Sequence, residues 1–176
     1  MPKSVSRKAG MGQELSFRDA RKGDEASVQA LVASVLNEYR LTPDPGATDA
    51  DLADLKASYF DRGGLFRVLI SDEGTIVGCG GLYPLADGDF EIRKMYFVPQ
   101  VRGRGHGRRL LEDLIEGARQ RGCERVVLET ASVLKEAIAL YRSFGFKPFA
   151  REHLACRCDQ AMALELEPRN QPEIGV

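Results

Sequence analysis

FEIRKMYFVPQVRGRGHGRRLL, residues 90–111, is the stretch that decides how this chain is read. Residues 91–98 carry the aromatic and branched side chains that favour an extended backbone. Pro99 ends the strand, because proline has no N–H to give a sheet ladder. Gly103, Gly105 and Gly107 then alternate with Arg102, Arg104, His106 and Arg108. From Arg109 the spacing turns helical, with Leu110, Leu111, Leu114, Ile115 and Ala118 on one face. The first turn of a helix has N–H groups without intrahelical partners, and its dipole favours an anion. Glycines let the backbone approach a ligand, and the arginines add positive charge. A phosphate or pyrophosphate is the natural guest of such a loop. The plainer alternative is a tight turn that needs glycine for geometry alone. A Walker A loop is excluded, because Gly107 is followed by Arg108 and Arg109 rather than by Lys and a hydroxyl residue. A dinucleotide fingerprint is excluded by the G-x-G-x-G spacing and by the loop's place past the middle of the chain.

Upstream, residues 15–18 alternate as a first strand, and residues 20–24 turn, with Asp24 a candidate N-cap. Residues 26–39 form an amphipathic helix on the stripe Val28, Leu31, Val32, Val35, Leu36. Residues 42–46 are a loop, and Thr48 or Asp49 can cap a second helix that reaches about Phe60. Residues 65–71 and 75–83 read as two strands around the turn 72–74; Gly78, Gly80 and Gly81 in the second imply a bulge or a close backbone approach. Downstream, the helix closes near Gly122. A buried strand follows at 124–129, a helix at 133–143, and final strands at 147–151 and 156–166. The order gives one α/β domain with a mixed, mainly antiparallel twisted sheet flanked by helices, over residues 14–167. Residues 1–13 read as a flexible leader and 168–176 as a polar tail.

The 176 residues suit one domain with a full core. A net charge of −1 gives no global pull towards nucleic acid or an anionic membrane. No apolar run is long enough to span a bilayer, and Lys3, Arg7 and Lys8 are followed by no apolar segment, so residues 1–13 are not expected to act as a secretory signal. Cys79, Cys123, Cys156 and Cys158 lack a metal-binding spacing, so no metal is expected, and a reduced, cytoplasmic protein is the simplest reading.

Two motifs resemble one family. Arg102-x-x-Gly105-x-Gly107 is similar to the R/Q-x-x-G-x-G/A signature of the GNAT superfamily of acyl-CoA-dependent N-acyltransferases. Residues 95–99 resemble the family's preceding strand, and residues 137–146, AIALYRSFGF, its late A-I-x-L-Y-x-x-x-G-F segment. The resemblance implies the GNAT fold, acetyl-CoA as co-substrate, and an amine acceptor, with a small molecule expected. It implies that Met95, Tyr96 and Phe97 meet the pantetheine arm along a strand opened by a bulge near Phe97 or Val98. The pyrophosphate would meet the amides of Arg102, Gly103, Arg104, Gly105, His106 and Gly107, with Arg108 beside them. Tyr141 takes the family's general-acid position, against the alternative of an aromatic core residue. Glu91 is the candidate base, with Glu129 or a solvent-facing strand end as alternatives. Leu134 stands where the family often has an asparagine that steadies the CoA arm. An acyl-CoA-binding sensor of the same fold, a protein N-terminal or lysine acetyltransferase, and a homodimer stay open.

Overall fold

The computed structural model describes residues 14–167, so the expected leader and tail lie outside the described residues. Seven strands form one sheet in the order β1-β2-β3-β4-β5-β7-β6. They are β1 (Leu15–Asp19), β2 (Leu65–Ser71), β3 (Ile76–Pro84), β4 (Phe90–Phe97), β5 (Arg125–Thr130), β6 (Lys147–Pro148) and β7 (Gln160–Glu165). Every neighbouring pair is antiparallel except β4 and β5. The helices are α1 (Glu25–Glu38), α2 (Leu55–Ser58), α3 (His106–Gln120) and α4 (Lys135–Ser143).

Both faces of the sheet are covered, which explains why β2 is apolar on both sides rather than alternating. On one face Leu110, Leu111 and Leu114 of α3 are fully buried with Leu82, Val126, Met162 and Tyr141 of α4. Each such leucine contributes about 1.5–3 kcal/mol by leaving water. On the other face α1 and α2 bury Val28, Leu36, Leu55 and Tyr59 against Phe66, Val68 and Cys79. The glycines of β3 mark close approach: a Cβ on Gly80 would lie 2.8 Å from Leu110, and one on Gly78 would lie 2.3 Å from the Phe97 ring.

Several local expectations change. The helix after the glycine loop begins at His106 rather than Arg109, because Gly105, at φ 85°, turns the chain into it. The second helix breaks into a 3-10 turn at Ala50–Leu52, the single turn of α2, and a further 3-10 turn at Phe60–Arg62. The Asp54 side chain caps α2, accepting from the Ala57 amide, while Asp49 is drawn into ion pairs. Asp24 sits at the N-cap of α1, but its carboxylate goes to Arg18 and to the Arg21 amide instead of the helix. The last two strands are shorter than their apolar patterns, which leaves residues 149–159 as a loop over one end of the sheet.

Candidate active site

The parallel pairing of β4 and β5 covers only Phe90 to Ile92, opposite Val126 to Leu128. Beyond Ile92 the two strands part. The cause is a bulge in β4: Cys79 pairs with Tyr96 and Gly81 with Arg93, so Gly80 alone faces both Lys94 and Met95. The break is therefore at Lys94, which has φ 56°, and not near Phe97 or Val98 as expected. From Arg93 to Phe97, β4 pairs with β3 alone, and its β5-side edge has no ladder partner.

A cavity of about 800 Å³ fills the gap. Met95, Tyr96 and Phe97 line it from β4, Arg102, Gly103 and Gly107 from the loop, and Leu134, Ala137, Leu140 and Tyr141 from α4 and its approach. Glu91 and Glu129 line its far end. Arg104, Gly105, His106 and Arg108 lie outside this wall, at the start of α3, where Arg104, Gly105 and Arg108 are exposed.

The glycine loop fits a diphosphate. Gly103 and Gly105 are left-handed at φ 71° and 85°, a conformation that a Cβ would strain. Among the described residues, none accepts a hydrogen bond from the backbone N–H groups of residues 103–108. Six donors at one helix N-terminus make the cradle that a pyrophosphate requires. The Arg102 side chain does a different job. Its Nε donates to the Phe97 carbonyl at 2.7 Å, and its two Nη atoms donate to Glu38 at 2.8 and 3.2 Å. It ties the loop to the end of β4 and to α1. Arg108 donates to the Ser143 hydroxyl at 3.2 Å.

The far end is a set of paired charges. Glu91 accepts from Arg93 Nε at 2.7 Å and from Arg151 Nη1 at 3.0 Å. Arg151 Nη1 also donates to Glu129 at 2.5 Å, and the Ala155 amide donates to the other Glu129 oxygen at 2.7 Å. Both candidate bases therefore share one guanidinium. Below them Asp49 accepts from Lys94 at 2.7 Å and from Arg157 at 2.5 and 2.8 Å. Arg151, Arg157, Lys94 and Asp49 went unremarked as site residues in the sequence. The adjacent charges Arg93 and Lys94 were the available signal, since they interrupt the alternation of a half-buried strand.

Tyr141 is buried, and desolvation, with Tyr96 and Cys158 nearby, raises its phenol well above the ordinary value. Its hydroxyl makes no hydrogen bond to any described residue. Tyr96 is pushed up to about 12, chiefly by burial. Cys158, which lines the cavity, is likewise pushed to about 11 and stays a thiol.

Asp49 carries a stability prediction. Burial works against its charge, but hydrogen bonds from Arg157, the Asp44 amide and Lys94 outweigh it and hold the carboxyl at about 2. A carboxyl depressed on folding stabilises above its unfolded value and loses that contribution as pH falls through its folded one. Thermal midpoints should fall between about pH 4 and pH 2. Asp49→Asn should flatten that limb; an unchanged slope would contradict the assignment.

A strand edge bared by a bulge, a glycine loop at a helix N-terminus and a buried tyrosine thus border one cavity. Residues 32–146 match the Acetyltransferase (GNAT) family. The chain is 40% identical over 129 residues to the uncharacterized N-acetyltransferase YjgM of Escherichia coli K12, over 70% of this chain and 77% of that one. A GNAT-family acetyltransferase of Staphylococcus aureus superposes with a TM-score of 0.82 at 20% identity, covering 88% of this chain and all of that one. The Salmonella typhimurium protein yncA, solved with its cofactor acetyl-CoA, superposes at 0.68 with 25% identity, covering 92% and 99%. This chain belongs to the GNAT family, and it is an N-acetyltransferase that acts with acetyl-CoA. Arg151 and Arg157 lie beyond the matched residues, and Glu91 and Glu129 lie within them. Among the described residues, no helix is long and apolar enough to cross a membrane.

Proposed function

We propose that the enzyme transfers the acetyl group of acetyl-CoA to the primary amine of a small molecule, by direct attack within a ternary complex. The observation that carries this reading is the shape of the cavity. One wall is the unpaired edge of β4, Tyr141 stands in the cavity lining, and the far end is built from Glu91, Glu129, Arg151 and Arg157. That end offers a compact, charge-bearing seat for a small polar amine. Bound acetyl-CoA supplies the activated thioester.

The chain's own residues supply the rest. The amides of residues 103–108 hold the diphosphate, and Met95, Tyr96 and Phe97 align the arm along β4. An N–H of the open edge polarises the carbonyl. The Tyr141 hydroxyl gives its proton to the departing sulfur as the amine nitrogen bonds to the carbonyl carbon and the C–S bond breaks. Glu91 takes the amine's proton, directly or through a water, with Glu129 on the other side of Arg151 as the competing acceptor. The Cys158 thiol, kept protonated, is a poor nucleophile, which favours direct attack over an acyl-cysteine relay. We place the reaction in the cytoplasm, in keeping with four unpaired cysteines.

A panel of amines, with release of free CoA thiol as the readout, tests this. Small primary amines should turn over, and peptides with free N-termini or lysines should not. A clear preference for peptides would overturn the small-molecule reading. Within the same assay, Glu91→Gln should lower kcat by about 100-fold and Glu129→Gln by much less; the reverse order would move the base to Glu129.

A further inference from the structure

The opened edge of β4 is held by an unusual residue. Lys94 sits at the bulge with φ 56°, in the left-handed region that a residue with a Cβ ordinarily avoids. Glycine is the usual occupant of such a place. Lys94 is also 7% exposed, so a charged side chain has been carried into the interior. Burial of that kind requires full pairing. Its Nζ lies 2.6 Å from the Thr48 carbonyl, 2.7 Å from Asp49 Oδ1 and 3.3 Å from Asp51 Oδ1. At the other end of the residue, the Lys94 carbonyl accepts from the Cys79 thiol at 3.1 Å.

We propose that Lys94 is a positioning residue for acetyl-CoA: its ammonium, anchored to Thr48, Asp49 and Asp51, pins the bulge in its left-handed turn and so keeps the edge of β4 away from β5. Without the bulge, β4 would run on in register from Ile92 and offer its free N–H and C=O groups to β5, closing the slot. The anchor comes from residues 48–51, which belong to the opposite face of the sheet from α3. The loop that carries Thr48 lines the acceptor side of the cavity. One buried ammonium thus joins the acceptor wall to the thioester wall. An ordinary internal ion pair would predict something else: lost stability with the slot unchanged.

The removal of this ammonium leaves no carboxylate alone. Asp49 keeps Arg157 at 2.5 Å, and Asp51 keeps the Tyr59 hydroxyl at 2.7 Å. The substituted chain should therefore fold. The test is acetyl-CoA binding by calorimetry on the full chain, with hydrogen exchange read over residues 93–97. Binding is the readout, so the test does not depend on which amine the enzyme accepts. Lys94→Met keeps the stem and the strained φ but loses the anchor; its Kd for acetyl-CoA should rise by about tenfold or more, and residues 93–97 should exchange faster. Lys94→Gly loses the anchor but adopts the left-handed turn freely. It should bind within about threefold of the wild type while those amides still exchange faster. A Lys94→Met protein that binds like the wild type overturns the proposal, as does a Lys94→Gly protein as weak as Lys94→Met. Should Lys94→Met not fold, Lys94→Ala, which keeps a Cβ at the left-handed φ and has no ammonium, is read in its place: a Kd raised by about tenfold or more supports the anchor, and wild-type binding overturns it.

Discussion

Tyr141→Phe should lower kcat by about 100-fold, with the KM for acetyl-CoA within about twofold of the wild type. The change removes one oxygen and keeps the ring. That ring packs 5.9 Å from Phe146 between centroids and belongs to the core cluster with α3, so the fold should survive. What is lost is a proton donor in the wall of the cavity. Because burial raises the phenol, it stays protonated at the alkaline pH where the acceptor amine is free. An acid is competent below its pKa and fails as pH rises through it. The alkaline limb of the wild-type kcat profile should therefore lie above about pH 10, beyond the ordinary tyrosine value. Steady-state kinetics across pH on both proteins checks this. Unchanged turnover in the phenylalanine variant would return Tyr141 to a packing role.

The second large effect concerns the sheet that carries the site. A Cβ on Gly81 would lie 2.5 Å from Tyr59 Cε1 and 2.7 Å from Phe66 Cδ2. Both rings are fully buried, and they meet each other edge to face at 4.9 Å. Neither can move without disturbing the other, and Tyr59 is further fixed by its hydrogen bond to Asp51. Gly81→Val should cost about 3 kcal/mol or more, at the upper end of overpacking. That corresponds to a drop of about 10 °C in Tm for a domain of this size. Gly46→Ala is the control: nothing lies within 4 Å of the added carbon and its φ is not positive, so its midpoint should barely change. Equal midpoints for Gly81→Val and the wild type would show that the β3 glycines are not there for space.

Much of this architecture is legible in local signals. The strand, glycine loop and helix of residues 90–111 announce themselves because proline, glycine and an apolar stripe each constrain the backbone in a different way. The three glycines of β3 announce a close approach for the same reason. The place of the bulge is less legible. Phe97 and Val98 lie next to the loop, but the break falls at Lys94, where a distant anchor at Thr48 and Asp49 decides the backbone. The short helix after residue 44 is misread on similar grounds. Asp49 looks like a cap, yet it has stronger partners in Lys94 and Arg157, the latter 108 residues away. The charged far end shows the limit most clearly. Arg151 joins Glu91 to Glu129 across three separate segments, and no periodicity within one segment records such a meeting.

The two parts of the sheet, strands one to four and strands five to seven, are stitched by three residue pairs along a single seam. Past that seam they diverge like the blades of half-open shears. A molecule lying along the bare edge would supply rungs the ladder lacks and lock the blades at one angle. The cofactor would then complete the scaffold that grips it, and the empty enzyme would be the softer of its two forms.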